Sequence, residues 1–306
     1  MVSAFEPIWI LTAAGYLARR TGMLGEGAVT VLGRFVFHLA MPAALFLTLA
    51  RTPLSSLAGR PLAAFAASTV AVIGAGWYGA RALFGRKAGE APIWGMSGGY
   101  VNSANLGIPI AMQVLGNLSF LIEVVLVQVL VVTPIILIAL DRHSDTAGRV
   151  RIRRIATLPV RNPVILASAL GVVWSAAGLS LPSPLKSSLT LLSAAAVPTA
   201  LIALGASLHA EGGPAERAYG ELSAIVVLKL LAQPAIAFAI GAFLLHLSRP
   251  ELLAVVICAG LPTAQNTFIF AQEYGVAEAL ASRAVLITTT LSLVTLAATT
   301  ALLGPG

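Results

Sequence analysis

Charge is scarce in this chain. Asp, Glu, Lys and Arg make up 10% of it, against roughly 25% in a soluble domain, so there is too little polar surface to cover a core in water. Cysteine is nearly absent: Cys258 is the single one and lies in an apolar run, which excludes an intrachain disulfide framework. The four histidines (His38, His143, His209, His246) are scattered, and no Cys or His pair has metal-ligand spacing. No GxxxxGK[ST] loop occurs, which removes the usual basis for ATP-driven pumping. Paired aspartates at the depth an intramembrane hydrolase needs are missing, and so is a long soluble segment that could serve a receptor as an output domain. We therefore expect no cofactor, no metal and no enzymatic chemistry. No basic residue precedes the first apolar run, so that run is expected to be a span and not a cleaved signal.

What the chain has is apolar length. Hydrophobic residues make up 58% of it and its mean hydropathy is +0.92. Apolar runs of about 20 residues recur, each the length of a membrane span. Ten are read at 5–18, 28–50, 61–83, 91–115, 118–140, 162–178, 185–208, 219–247, 250–273 and 276–303. The expected fold is therefore an all-α membrane protein of ten transmembrane helices. With that count, 12 Lys and Arg fall on one side of the bilayer and 4 on the other, with Arg34, Lys229 and Arg283 in or at the edge of spans. By the positive-inside rule the Arg-rich side is cytoplasmic and both termini face outward. The hydrophilic 141–161 segment carries most of the excess, as a topology anchor or an anionic-lipid contact. It accounts for the net charge of +7 without nucleic acid.

The same segment divides the chain into two five-span halves, 1–140 and 162–306, that resemble each other. His38-Leu39-Ala40-Met41-Pro42-Ala43-Ala44-Leu45 in the second span corresponds to Ala194-Ala195-Ala196-Val197-Pro198-Thr199-Ala200-Leu201 in the seventh, and Pro109 in the fourth to Pro262 in the ninth, at shifts of 156 and 153. An odd number of spans per half forces opposite orientations, and inverted repeats are a recurrent secondary-transporter architecture.

The fourth span contains Gly98-Gly99-Tyr100-Val101-Asn102-Ser103-Ala104-Asn105-Leu106-Gly107-Ile108-Pro109, and the ninth Gly260-Leu261-Pro262-Thr263-Ala264-Gln265-Asn266-Thr267. Such polar, proline-bearing stretches cannot face lipid as unbroken helices, because freed backbone groups need protein or water. Paired interruptions point to a transport site, where half-helix N-termini attract an anion. Asn102, Asn105, Pro109, Pro262, Gln265 and Asn266 are the candidate substrate-binding residues. Lys229 sits about ten residues into the eighth span, roughly 15 Å deep at 1.5 Å per residue. It is expected either to compensate substrate or coupling-ion charge, or to bond helix-end carbonyls or Gln233. Glu123 and Gln128 in the fifth span are further candidates for proton relay or charge compensation.

Asn102-Ser103-Ala104-Asn105-Leu106-Gly107-Ile108-Pro109-Ile110-Ala111 resembles the fourth-helix signature of the auxin efflux carrier family. Ala196-Val197-Pro198-Thr199-Ala200-Leu201 with Leu204-Gly205-Ala206-Ser207-Leu208 resembles its seventh-helix signature. Leu261-Pro262-Thr263-Ala264 followed by Ala271-Gln272-Glu273-Tyr274-Gly275 resembles its ninth, and Arg161-Asn162-Pro163 fits the start of its sixth. The resemblance implies two inverted five-helix repeats with crossed, broken helices 4 and 9, a fold shared with sodium–proton antiporters and bile-acid symporters. It implies a transport domain from helices 3–5 and 8–10, and a scaffold from helices 1, 2, 6 and 7 that often forms a homodimer. Family substrates are carboxylates, with malonate and related acids proposed for bacterial members. The expectation is thus a secondary transporter in the cell (inner) membrane that moves a small organic anion by alternating access. Proton or sodium coupling is the alternative within the fold; a non-transporting membrane receptor is remote.

Overall fold

The computed structural model of the chain describes residues 2–51, 59–143, 162–210 and 216–303. Its regular elements among these residues are all helical, apart from one isolated β-bridge. In chain order they are α1 (Val2–Arg20), α2 (Ala28–Ala50), α3 (Arg60–Ala82), α4 (Ala91–Gly99), α5 (Ile108–Val114), α6 (Ser119–Arg142), α7 (Pro163–Ala176), α8 (Ser183–Leu208), α9 (Tyr219–Leu244), α10 (Arg249–Ala259), α11 (Asn266–Tyr274) and α12 (Glu278–Leu303). Six of them (α2, α3, α6, α8, α9 and α12) are individually long and apolar enough to cross a bilayer, so the chain is a multi-pass membrane protein. Most of the basic segment expected on the cytoplasmic face, including Arg149, Arg151, Arg153, Arg154 and Arg161, lies outside the described residues.

Proline leaves a consistent mark on these helices. Inside α2, α6 and α9 the prolines Pro42, Pro134 and Pro234 each follow a π-helical turn, at Val36–Ala40, Gln128–Val132 and Leu228–Ala232. At each of these the next amide bonds five residues back: Met41 N to Val36 O, Thr133 N to Gln128 O, Gln233 N to Leu228 O. A proline has no N–H and its ring presses on the carbonyl four residues earlier. One widened turn relieves both problems while the helix continues.

Backbones approach most closely where α1 crosses α8. A Cβ built on Gly205 would lie 1.9 Å from the Thr12 carbonyl oxygen, and one on Gly15 2.2 Å from that of Ile202. Only hydrogen fits there, as is usual for membrane helices that associate through backbone packing. The main core gathers Phe65, Phe268 and Phe270, and a second buried cluster holds Trp94 with Leu222 and Ile225.

The expected fourth and ninth spans are each in two pieces. α4 ends at Gly99, the chain runs extended through Tyr100 and Val101, and helical turns resume at Ser103–Gly107 and lead into α5. α10 ends at Ala259, and α11 begins at Asn266. The first break lies within the polar stretch expected to interrupt the fourth span, though not at Pro109 itself. It falls seven residues earlier, and Pro109 occupies the first turn of α5, where an N–H is not required. Pro262, by contrast, stands in its break. The two prolines at a shift of 153 therefore do not hold matching places.

Candidate functional site

The two breaks pair with each other. Val101 and Thr263 form an antiparallel bridge, with Asn102 N–H donating to Pro262 O at 2.8 Å and Ala264 N–H to Tyr100 O at 3.0 Å. Asn102 has φ −78° and ψ 63°, and Ser103 N–H reaches back to Val101 O at 2.9 Å, an inverse γ-turn centred on the asparagine. Away from bulk water every backbone group freed by such a turn needs a partner, and side chains supply the rest. Thr263 Oγ1 donates to Ser97 O at 2.6 Å, Gln233 Nε2 to Gly99 O at 3.2 Å, and Gln128 Nε2 to Val101 O at 2.9 Å. Thr263 N–H donates to Thr288 Oγ1 at 3.1 Å. Lys229 Nζ donates to Ala259 O at 2.9 Å and to Gln233 Oε1, so the ammonium sits at the C-terminus of α10, where the helix dipole favours a cation.

A cavity of about 230 Å³ opens beside the paired breaks. One wall is Tyr100–Asn105 with Ala264, Gln265 and Asn266; Val125, Gln128 and Val129 of α6 adjoin it; Met41, Ala44, Leu45 and Thr48 of α2 and Ser193 and Val197 of α8 close the opposite side. No charged side chain lines it among the described residues. Its size lies below the ~300–1,000 Å³ of drug-sized ligand sites, which suits a small solute. The segments that start at Ser103 and at Asn266 begin among its lining residues, and a helix N-terminal end is worth roughly half a positive charge. Lys229 and the last residues of α4 and α10, Gly99 and Ala259, are not among the lining residues.

Of the residues singled out from the sequence, the cavity brings together Asn102, Asn105, Gln128, Gln265 and Asn266. Asn102 is 2% exposed, and its Oδ1 accepts the Asn105 N–H at 3.4 Å. Asn266 lies within hydrogen-bonding reach of the Tyr100 hydroxyl, which also meets Thr133 Oγ1 at 2.8 Å. Gln128 has its amide committed to Val101 O and Ser103 Oγ (2.5 Å), so it shapes the wall. Pro109 and Pro262 do not line the cavity; Pro262 contributes its carbonyl to the bridge. Lys229, fully buried, and Glu123, partly exposed, are both outside it. The contacts of Lys229 are those of the structural alternative: a helix-end carbonyl and Gln233.

Tyr100, Ser103, Thr263 and Thr288 were not singled out from the sequence. Each is a lone polar residue in an apolar helix or at a break, and its partner is distant in the chain. Glu221 is a further case: 1% exposed, it accepts from Arg86 at 2.9 Å and from Trp94 Nε1 at 3.3 Å.

A family profile described as membrane transport protein matches residues 1–300. The chain belongs to that family. It is the family of the auxin efflux carriers, and this member is a transmembrane transporter. A proposed malonate transporter of Rhizobium meliloti is 31% identical over 301 residues, covering 94% of this chain and 91% of the relative. An uncharacterized transporter of Escherichia coli, YfdV, is 25% identical, covering 88% of this chain and 87% of its own length. Auxin efflux carrier component 3a of rice is 32% identical over 133 residues, 42% of this chain and 21% of the plant protein. In this family member the polar stretch resembling the fourth-helix signature and the one resembling the ninth meet at a single bridge.

Proposed function

We propose that the protein is a secondary transporter that moves a small organic carboxylate across the membrane by alternating access. The observation that carries this reading is the cavity at the paired breaks. It holds amide donors from Asn102, Asn105 and Asn266 and two helix N-terminal ends, and no fixed negative charge. That is an anion site in neutral form. The relative from Rhizobium meliloti points to malonate as the first substrate to try.

In this reading ten membrane helices form two inverted five-helix repeats. α4–α5 and α10–α11 are the broken fourth and ninth helices. Expected helices 3–5 and 8–10 form the moving domain, while helices 1, 2, 6 and 7 form a scaffold through which two copies pair. The cavity has lining residues from both groups, which supports it: α2 and α8 from one, the breaks and α6 from the other. Sliding one wall past the other would change the side to which the cavity opens. The membrane is the cell membrane, with both termini outside and the basic 141–161 segment in the cytoplasm among anionic lipids.

The test is uptake of radiolabelled malonate and of other small carboxylates into proteoliposomes. Uptake is expected to saturate and to fall at least about tenfold in Asn105→Ala and in Asn266→Ala, each of which removes one hydrogen bond to a charged group. Undiminished uptake in both variants would refute the site. Coupling to a proton or sodium is read from the same vesicles, by collapsing the pH gradient or removing sodium.

A further inference from the structure

Two of the stretches that resemble family signatures, Arg161-Asn162-Pro163 and Gln272-Glu273-Tyr274, take no part in the cavity. The structure instead brings residues of both to one boundary beside α2. α11 begins at the cavity with Asn266 and packs along the first half of α2. There Gln272 Nε2 donates to Val29 O at 2.6 Å. The side chain fits because α2 offers it a glycine: a Cβ on Gly33 would lie 1.8 Å from Gln272 Oε1, and the three nearest atoms all belong to Gln272. Asn162 Nδ2, at the start of α7, donates to the Tyr274 hydroxyl at 3.4 Å, and Glu273 Oε1 lies 3.6 Å from His38 Nε2. Phe37, 2% exposed, packs edge-on against Phe270 and Tyr274, with ring centres 5.8 and 6.5 Å away.

These contacts and the cavity occupy opposite halves of α2. The lining residues of α2 run from Val36 to Thr48, toward its Ala50 end. The contacts with α11 run from Val29 to His38, toward its Ala28 end. The first half of α8, which holds the lining residue Ser193, packs beside the second half of α2. The two walls that stand apart at the cavity therefore touch beyond Val36. Resting on the alternating-access reading above, we infer that Gln272 in the Gly33 notch, with Asn162–Tyr274 and His38–Glu273, is a latch that shuts the cavity on the Ala28 side of α2 and parts when the cavity opens there.

The contacts suit a joint made and broken in every cycle. Each of the three polar ones runs through a side chain, and losing one such bond shifts an equilibrium only about two- to tenfold. Joints that stay closed in this reading are built differently. The two breaks, both in the moving domain, are bridged backbone to backbone. α1 and α8, both in the scaffold, meet at glycines where only hydrogen fits. The latch lies between those two groups: α11 belongs to the moving domain, α2 and α7 to the scaffold.

The test labels single cysteines of the full-length protein in membrane vesicles with an impermeant maleimide, in a Cys258→Ala background and without substrate. Labelling of Ser193→Cys identifies the face from which the cavity is reached. Val36 is 1% exposed at the other end of the lining, and Val36→Cys is probed from the opposite face. Gln272→Ala should raise its labelling rate about two- to tenfold. Gly33→Ala should do the same by displacing Gln272, and should add nothing when combined with Gln272→Ala. Tyr274→Phe, which removes the hydroxyl met by Asn162, is a milder variant with the same expected direction. A tether separates a latch from a contact that merely holds the fold together. With His38→Cys and Glu273→Cys bridged by a reducible bifunctional thiol reagent, malonate uptake should fall at least about tenfold and return on reduction. Unchanged Val36→Cys labelling in the three single variants, a further rise in the double variant, or full uptake by the bridged protein would overturn the latch while leaving carboxylate transport in place. If the unbridged protein takes up no carboxylate, that reading falls, and the labelling, which uses no substrate, still decides the latch.

Discussion

Replacing Thr263 by Val isolates one stitch of the paired breaks. Thr263 is fully buried and its Oγ1 donates to Ser97 O at 2.6 Å. Valine keeps the shape of the side chain and removes only the donor. The Ser97 carbonyl lies in the last turn of a helix that stops at Gly99, with the chain extended from Tyr100 on, so it needs a partner from outside the helix. No water replaces the hydroxyl in so tight a site, so the variant carries the cost of an unsatisfied buried acceptor, about 1–3 kcal/mol. At ~2–4 °C per kcal/mol for domains of 150–250 residues, the melting temperature of purified protein in detergent should drop by roughly 2–12 °C. Thr263→Ser keeps the donor and loses a methyl group, so it should melt above the valine variant and retain more uptake. The reverse order, with Thr263→Val like wild type and Thr263→Ser impaired, would show that packing and not the hydrogen bond holds the breaks together.

Lys229→Met should lower the yield of folded protein and abolish uptake. It leaves both Ala259 O and Gln233 Oε1 without their donor, at about 1–3 kcal/mol for each; normal yield with normal uptake would refute the positioning role. Gly205→Ala should also lose folded yield, because its Cβ would sit 1.9 Å from Thr12 O and force α1 away from α8; size-exclusion profiles of the solubilised variant check this. Glu273→Gln should change stability by less than about 1 kcal/mol, since its 3.6 Å pairing with the half-exposed His38 is partly solvated; a large loss in a thermal-shift assay would contradict that.

Membrane residence was legible in the residues alone, because apolar length and scarce charge are properties of segments and need no partners. So was the neighbourhood of the site: Asn102, Asn105, Gln265 and Asn266 are polar groups in stretches where lipid tolerates none, whatever the fold. The π turns could not be placed from the sequence, though Pro42, Pro134 and Pro234 showed where the helices had to give. Only the tertiary structure set the first break, within that polar stretch, at Tyr100–Asn102, because a break settles where side chains from other segments can satisfy the freed carbonyls, here Thr263, Gln233 and Gln128. Only it gave Lys229 its contacts with Ala259 O and Gln233 Oε1, since which face of α9 meets the end of α10 is not written in either helix. The sequence by itself determined which segments leave water and where polar groups are stranded among them. The tertiary structure decided which stranded groups satisfy one another, because hydrogen-bond partners distant in the chain are assigned only by packing.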